Sequence, residues 1–95
     1  MFEIYAMAST LIAEYHGVEI RMLRKPREHE PAHIHISHAE FEATFELKTL
    51  KRKGSSKSEL KSIAEVVIKR HFDELMNMWK TQDIHEIDIS HDFKR

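Results

Sequence analysis

The chain has 95 residues, 41 % hydrophobic and 33 % charged, with a formal net charge of −1. That is one small domain of ordinary globular composition, without the basic footprint of most nucleic-acid binders. It has no cysteine, which excludes disulfide and thiol chemistry, and no apolar run approaching the ~18–20 residues of a membrane span.

The start of the chain lacks a basic leader region, so no signal peptide is expected and the protein is read as cytoplasmic. A domain this small is marginal alone, which predicts a homodimer or a partner protein. Residues 1–95 are read as a single domain. Phe2 to Met7 and Ile84 to Ile89 are candidate edge strands, and 1–10 and 84–95 are otherwise tails.

Leu11 to Tyr15 and Val18 to Leu23 predict a β-hairpin around His16-Gly17, where glycine supplies a positive φ. In that register Tyr15 pairs with Val18, Ala13 with Ile20 and Leu11 with Met22, all six on one face. Arg24 to Pro31 reads as a polar loop. Ala32 to Ser37 and Glu40 to Leu47 alternate strictly and predict a second hairpin. Ile34, Ile36, Phe41, Ala43, Phe45 and Leu47 fall on one face, and His33, His35, Ser37, Glu40, Glu42, Thr44 and Glu46 on the other. A turn at His38-Ala39 would set His35 opposite Glu42 and His33 opposite Thr44.

Lys51 to Ser56 reads as a basic connector. Ser56-Lys57-Ser58-Glu59 has the capping-box pattern. Leu60, Ile63, Ala64, Val67, Phe72, Leu75 and Trp79 then recur at helical spacing. The stretch forms one long helix or two, with a break between Arg70 and Asp73. The expectation is an α+β domain: a small antiparallel sheet of two hairpins, with one long or two consecutive helices on one face.

The chemistry concentrates in His29-Glu30-Pro31-Ala32-His33-Ile34-His35-Ile36-Ser37-His38, which holds four of the chain's eight histidines. On a strand, His33 and His35 share a face. With the hairpins adjacent, that face gathers Glu19, Arg21, His33, His35, Glu42 and Glu14. Two imidazoles and an arginine are the ingredients of a metal-independent acid–base site for phosphodiester cleavage. They also suit a metal site, with His29, His33 and His35 as ligands to zinc or nickel. The plainer reading is a solvated sheet face, where cross-strand pairs contribute only about 0.2–1 kcal/mol. His16, His71, His85 and His91 read as turn, helix-surface and tail residues, and Lys48 to Lys57 as a solvated basic run.

The order Tyr15-His16-Gly17, His29-x-Pro31-x-His33-x-His35, an alternating strand, a capped helix and Glu74-Leu75-x-x-x-Trp79 resembles domain-of-unknown-function family 4160. The family consists of small prokaryotic proteins with an aromatic-x-Gly turn, a D-H-N-P-P-H-F-H-V-like motif and an L-L-x-x-W-like motif. The resemblance spans roughly residues 11 to 89. Glu28 stands where the family often has Asp, Ala32 replaces the second proline and Ile34 the aromatic. His38-Ala39 stands at the Gly-rich turn. The resemblance implies no activity. It does imply a small gene beside another small gene, in the manner of a toxin–antitoxin pair.

The leading expectation is therefore a component of a toxin–antitoxin-like pair with a partner protein encoded nearby. A ribonuclease-like toxin would use His33 and His35 as acid and base, with Arg21 on the phosphate of an RNA substrate. The alternative is a non-catalytic antitoxin or regulator that docks its partner through Glu19 and Glu42 on the same face, or through the Trp79 helix. A metal-binding protein is the third reading.

Overall fold

Two alternating hairpins in succession leave three strand-to-strand connections short, and the chain takes the simplest topology they allow. A computed structural model describes residues 9–23, 31–55 and 58–93. Five strands, β1 (Ser9–Tyr15), β2 (Val18–Leu23), β3 (His33–His38), β4 (Phe41–Glu46) and β5 (Arg52–Ser55), form one antiparallel sheet in the order β1-β2-β3-β4-β5. Two helices follow, α1 (Ser58–Arg70) and α2 (Phe72–Thr81). The fold is the α+β domain expected, extended by the fifth strand. Phe2 to Met7, the 24–30 segment of the polar loop and the Ser56 end of the capping box lie outside the described residues.

The apolar strand positions build the core. Ile20, Ile34, Ile36 and Phe45 are fully buried, as are Ala64, Val67, Leu75 and Met78 from the helices. The helices therefore cover one face of the sheet. Phe41, Ile63 and Phe72 pack at its margin, partly buried. His71 interrupts the helical run with φ −119°, yet the hydrogen-bonding continues through it, His71 N–H to Val67 and Leu75 N–H to His71. The break therefore separates two helices without freeing a full turn of backbone groups. Among the described residues no helix is long and apolar enough to cross a membrane.

Three expectations are corrected. In the first hairpin Tyr15 pairs with Val18 and Ala13 with Ile20, but Leu11 pairs with Arg21, because the register shifts between Leu11 and Ala13. Ile12 is the extra residue of a β-bulge. It and Ala13 both turn into the core, at 0 % and 3 % exposure, and Leu11 moves to the Arg21 face. In the second hairpin the turn lies one residue later, with His38 opposite Phe41, so His35 faces Thr44 and His33 faces Glu46. The basic connector is the strand β5, paired with β4 through Thr44–Lys53 and Phe45–Arg52.

The segment after α2 forms no strand over residues 82–89. It runs as a tail that buries Ile84, Ile87 and Ile89 in the same core. The Ile87 N–H donates to the Ile12 carbonyl at 2.8 Å, so the tail is fastened to β1 at its bulge.

Candidate functional site

Alternation along β2, β3 and β4 sends the residues between the core positions to the sheet's other face. The pairings set Arg21 directly across from His35 and His35 across from Thr44. The row continues outward to Leu11 on β1 and Lys53 on β5. Glu19, Ser37, Glu42 and Ser55 form the parallel row beside it. Glu42 is therefore diagonal to His35, where a separation of about 7–8 Å is typical, instead of directly opposite as the sequence suggested.

His33 and His35 lie side by side, their ring centroids 5.2 Å apart. The His33 Nδ1 is 2.9 Å from the Pro31 carbonyl oxygen, which can only accept. Nδ1 therefore carries the proton, and in the neutral ring Nε2 keeps the lone pair. The indole of Trp79 packs against the same imidazole, centroid to centroid 5.0 Å. Trp79 itself is 2 % exposed. It packs in the core and supports the position of His33.

The Arg21 Nη2 reaches Glu19 Oε1 at 3.2 Å, with a longer contact of 3.5 Å from Nη1 to Ser9 Oγ. Both partners of the ion pair are substantially exposed, 34 % and 44 %, so it contributes little to stability and can reorganise around a ligand. Among the described residues no three His, Cys, Asp or Glu side chains are grouped to hold a metal ion. His29, the third ligand of the zinc or nickel reading, lies outside the described residues.

Four further histidines have definite settings, of which the turn position of His16 was expected from the sequence. His16 adopts φ +50° and Gly17 +84°, the left-handed pair that a tight hairpin needs, and the Glu14 carboxylate accepts the Gly17 N–H at 2.7 Å. The His38 ring lies beside Gly17. His16, His38, Tyr15, Glu59, Leu60 and Ile63 border a cleft of about 660 Å³ between the hairpin turns and the start of α1. His71 donates from Nε2 to Asp92 Oδ2 at 2.7 Å, against an Asp92 side chain only 6 % exposed. Glu74 lies 3.7 Å from His71 Nδ1 and 3.2 Å from His85 Nε2. The hydrogen bond to Glu74 raises the His85 pKa above its ordinary 6.5, and the bond to the Asp83 carbonyl adds to the effect. The Ser90 hydroxyl and backbone N–H hold the Asp88 pKa below its ordinary 3.8. The His71–Asp92 and Glu74–His85 pairs clasp the tail to the helices. Sequence spacing could not show them, since His71 and Asp92 are 21 residues apart.

No curated protein and no solved structure matches the chain. The family model for a domain of unknown function, DUF4160, matches residues 17–80, from the Gly17 turn through the histidine motif to the end of the Trp79 helix, and the chain belongs to that family.

Proposed function

We propose that this protein is the ribonuclease-like member of a toxin–antitoxin-like pair, and that His33, His35 and Arg21 are its acid–base site. The observation that carries the reading is the convergence of the two imidazoles, 5.2 Å apart, with Arg21 directly across the strand pair from His35. His33, its Nδ1–H committed to Pro31, presents a basic Nε2 and takes the role of general base. It removes the proton of the ribose 2′-hydroxyl, whose oxygen attacks the adjacent phosphorus. His35, as imidazolium, gives its proton to the departing 5′-oxygen. Arg21 leaves Glu19 to hold the non-bridging oxygens as charge develops. The products are a 2′,3′-cyclic phosphate and a free 5′-hydroxyl, with no net change in protons.

One observation favours a second reading. Glu19, Glu42 and Glu46 lie on the same face and set three carboxylates among its cations. Such a face suits a basic protein partner, as a non-catalytic antitoxin or regulator would need. Expression of the gene alone, with and without His33→Ala and His35→Ala, separates the two. A nuclease arrests growth, and each substitution relieves the arrest with a rate loss of about 10²–10⁴-fold on purified RNA. A harmless wild type that neutralises its neighbour's product decides for the binding protein.

A further inference from the structure

The basic segment after β4 is not a passive connector, because the register of β5 places Lys53 opposite Thr44. The crosswise row is thus Arg21, His35, Thr44, Lys53, with a cation on each side of the same imidazole. Gly54 holds this register. Its φ is +98°, and a Cβ there would lie 2.7 Å from the Glu42 carbonyl oxygen and 3.2 Å from the Ala43 Cα. Only glycine lets β5 approach β4 so closely. His35, Glu42, Ala43, Thr44, Lys53 and Gly54 line a shallow hollow of about 340 Å³ on the face.

We propose that the hollow between His35 and Lys53 is a subsite for the phosphate next to the scissile one, and that the substrate is single-stranded RNA laid across the strands. The assignment rests on the reading of His33 and His35 as the acid–base pair. Lys53 is two strand spacings from His35, about 10 Å between Cα atoms. That distance lies beyond the reacting phosphate and within reach of its neighbour. The type of cation fits each place. Arginine's planar fork suits the oxygens of the reacting phosphate, while lysine is a rotatable point charge, sufficient for a phosphate that is only held. An antiparallel sheet face suits splayed single strands better than an A-form duplex, which is read across its minor groove. Glu42 lines the same hollow and opposes an anion there, so Lys53 is the cation that a held phosphate requires.

The test uses the full chain, a short fluorescent single-stranded oligodeoxynucleotide as an uncleavable probe, and two cleavable RNAs, a tetranucleotide and a dinucleoside monophosphate. Lys53→Ala should reduce the steepness of log affinity against log salt by about 0.7, the loss of one phosphate contact on a single strand. It should also lower the preference for the tetranucleotide over the dinucleotide, as a ratio of kcat/KM, about tenfold, mostly through KM. Glu42→Gln should tighten the probe. An unchanged salt slope with an unchanged ratio overturns the subsite. So does equal affinity for duplex and single-stranded RNA. A wild type that cleaves neither RNA but loses the salt-slope increment in Lys53→Ala keeps a phosphate-binding hollow at Lys53 and overturns the acid–base reading, and with it the place of that hollow beside a scissile phosphate.

Discussion

Stopping the chain after Asp83 should unfold the domain. The tail beyond that point contributes Ile84, Ile87 and Ile89, exposed by only 8 %, 6 % and 6 %. Burying an isoleucine side chain is worth about 1.5–3 kcal/mol, so the three together contribute on the order of 5–9 kcal/mol. The figure is an upper bound, because the unfolded chain already buries part of this surface. Truncation also removes the Ile87 hydrogen bond to the β1 bulge and leaves His71 without Asp92. Against a total stability of about 5–15 kcal/mol, losses of this size remove most or all of the fold. A far-UV circular dichroism melt of the truncated chain should show no cooperative transition. The milder Ile87→Ala should cost about 2–5 kcal/mol and lower Tm by at least about 8 °C. A truncated chain that melts cooperatively within a few degrees of the full-length protein would refute the placement of the tail in the core. Retained folding with loss only of self-association would restore the edge-strand role expected from the sequence.

Three other outcomes follow from local geometry. Because hydrogen bonds to Glu74 and Asp83 raise the folded His85 pKa, its contribution is complete below the unfolded value near 6.5 and is lost as pH rises through the folded value. His85→Gln should therefore flatten part of the fall in Tm between pH 5.5 and 8.5; identical slopes for variant and wild type would show that the pair is idle in solution. Ala39 sits at φ +55°, a conformation that penalises any Cβ by about 1–2 kcal/mol, partly offset by glycine's greater unfolded-state freedom. Ala39→Gly should raise Tm by about 4–8 °C, and a lowered Tm would contradict the turn geometry. Excess zinc or nickel should leave Tm unchanged, whereas a rise larger at pH 8 than at pH 5.5 would support His29, His33 and His35 as ligands, since protonated imidazole cannot bind metal.

The second hairpin was legible because its two periodicities agree: Ile34 and Ile36 against His33 and His35, Ala43 and Phe45 against Glu42 and Thr44. Its turn was not, because neither Ala39 nor Glu40 is a residue that favours a tight turn, and Ala39 carries strain to make it. The bulge was hidden for a different reason. Leu11, Ile12 and Ala13 are all apolar, so nothing in the run marks which residue is supernumerary, and the register against β2 reveals it. β5 was disguised by its charge. An edge strand can be basic because one of its sides faces water, and lysines there discourage pairing with other chains. The gathering of His33, His35 and Arg21 on one face followed from alternation together with the two hairpins lying side by side. The His71–Asp92 and Glu74–His85 contacts required the tail's path, which no local pattern encodes.

The two faces of the sheet divide stability from chemistry. Phe45, Ile34 and Ile20 are fully buried under the helices and carry the hydrophobic contribution. The opposite face holds an exposed Glu19–Arg21 pair and cross-strand neighbours worth about 0.2–1 kcal/mol each. Residues that contribute so little to folding are free to be chosen for chemistry. The exception is His33, which is bonded to Pro31 and packed on Trp79, a core residue. It links the face to the core, and Pro31 and Trp79 orient its ring, as a general base requires. His35 stands across from Arg21 and Thr44 in the register, on the face opposite the core. A loss of activity in His35→Ala reports on chemistry, whereas the same loss in His33→Ala must first be corrected for what the Trp79 contact contributes to stability.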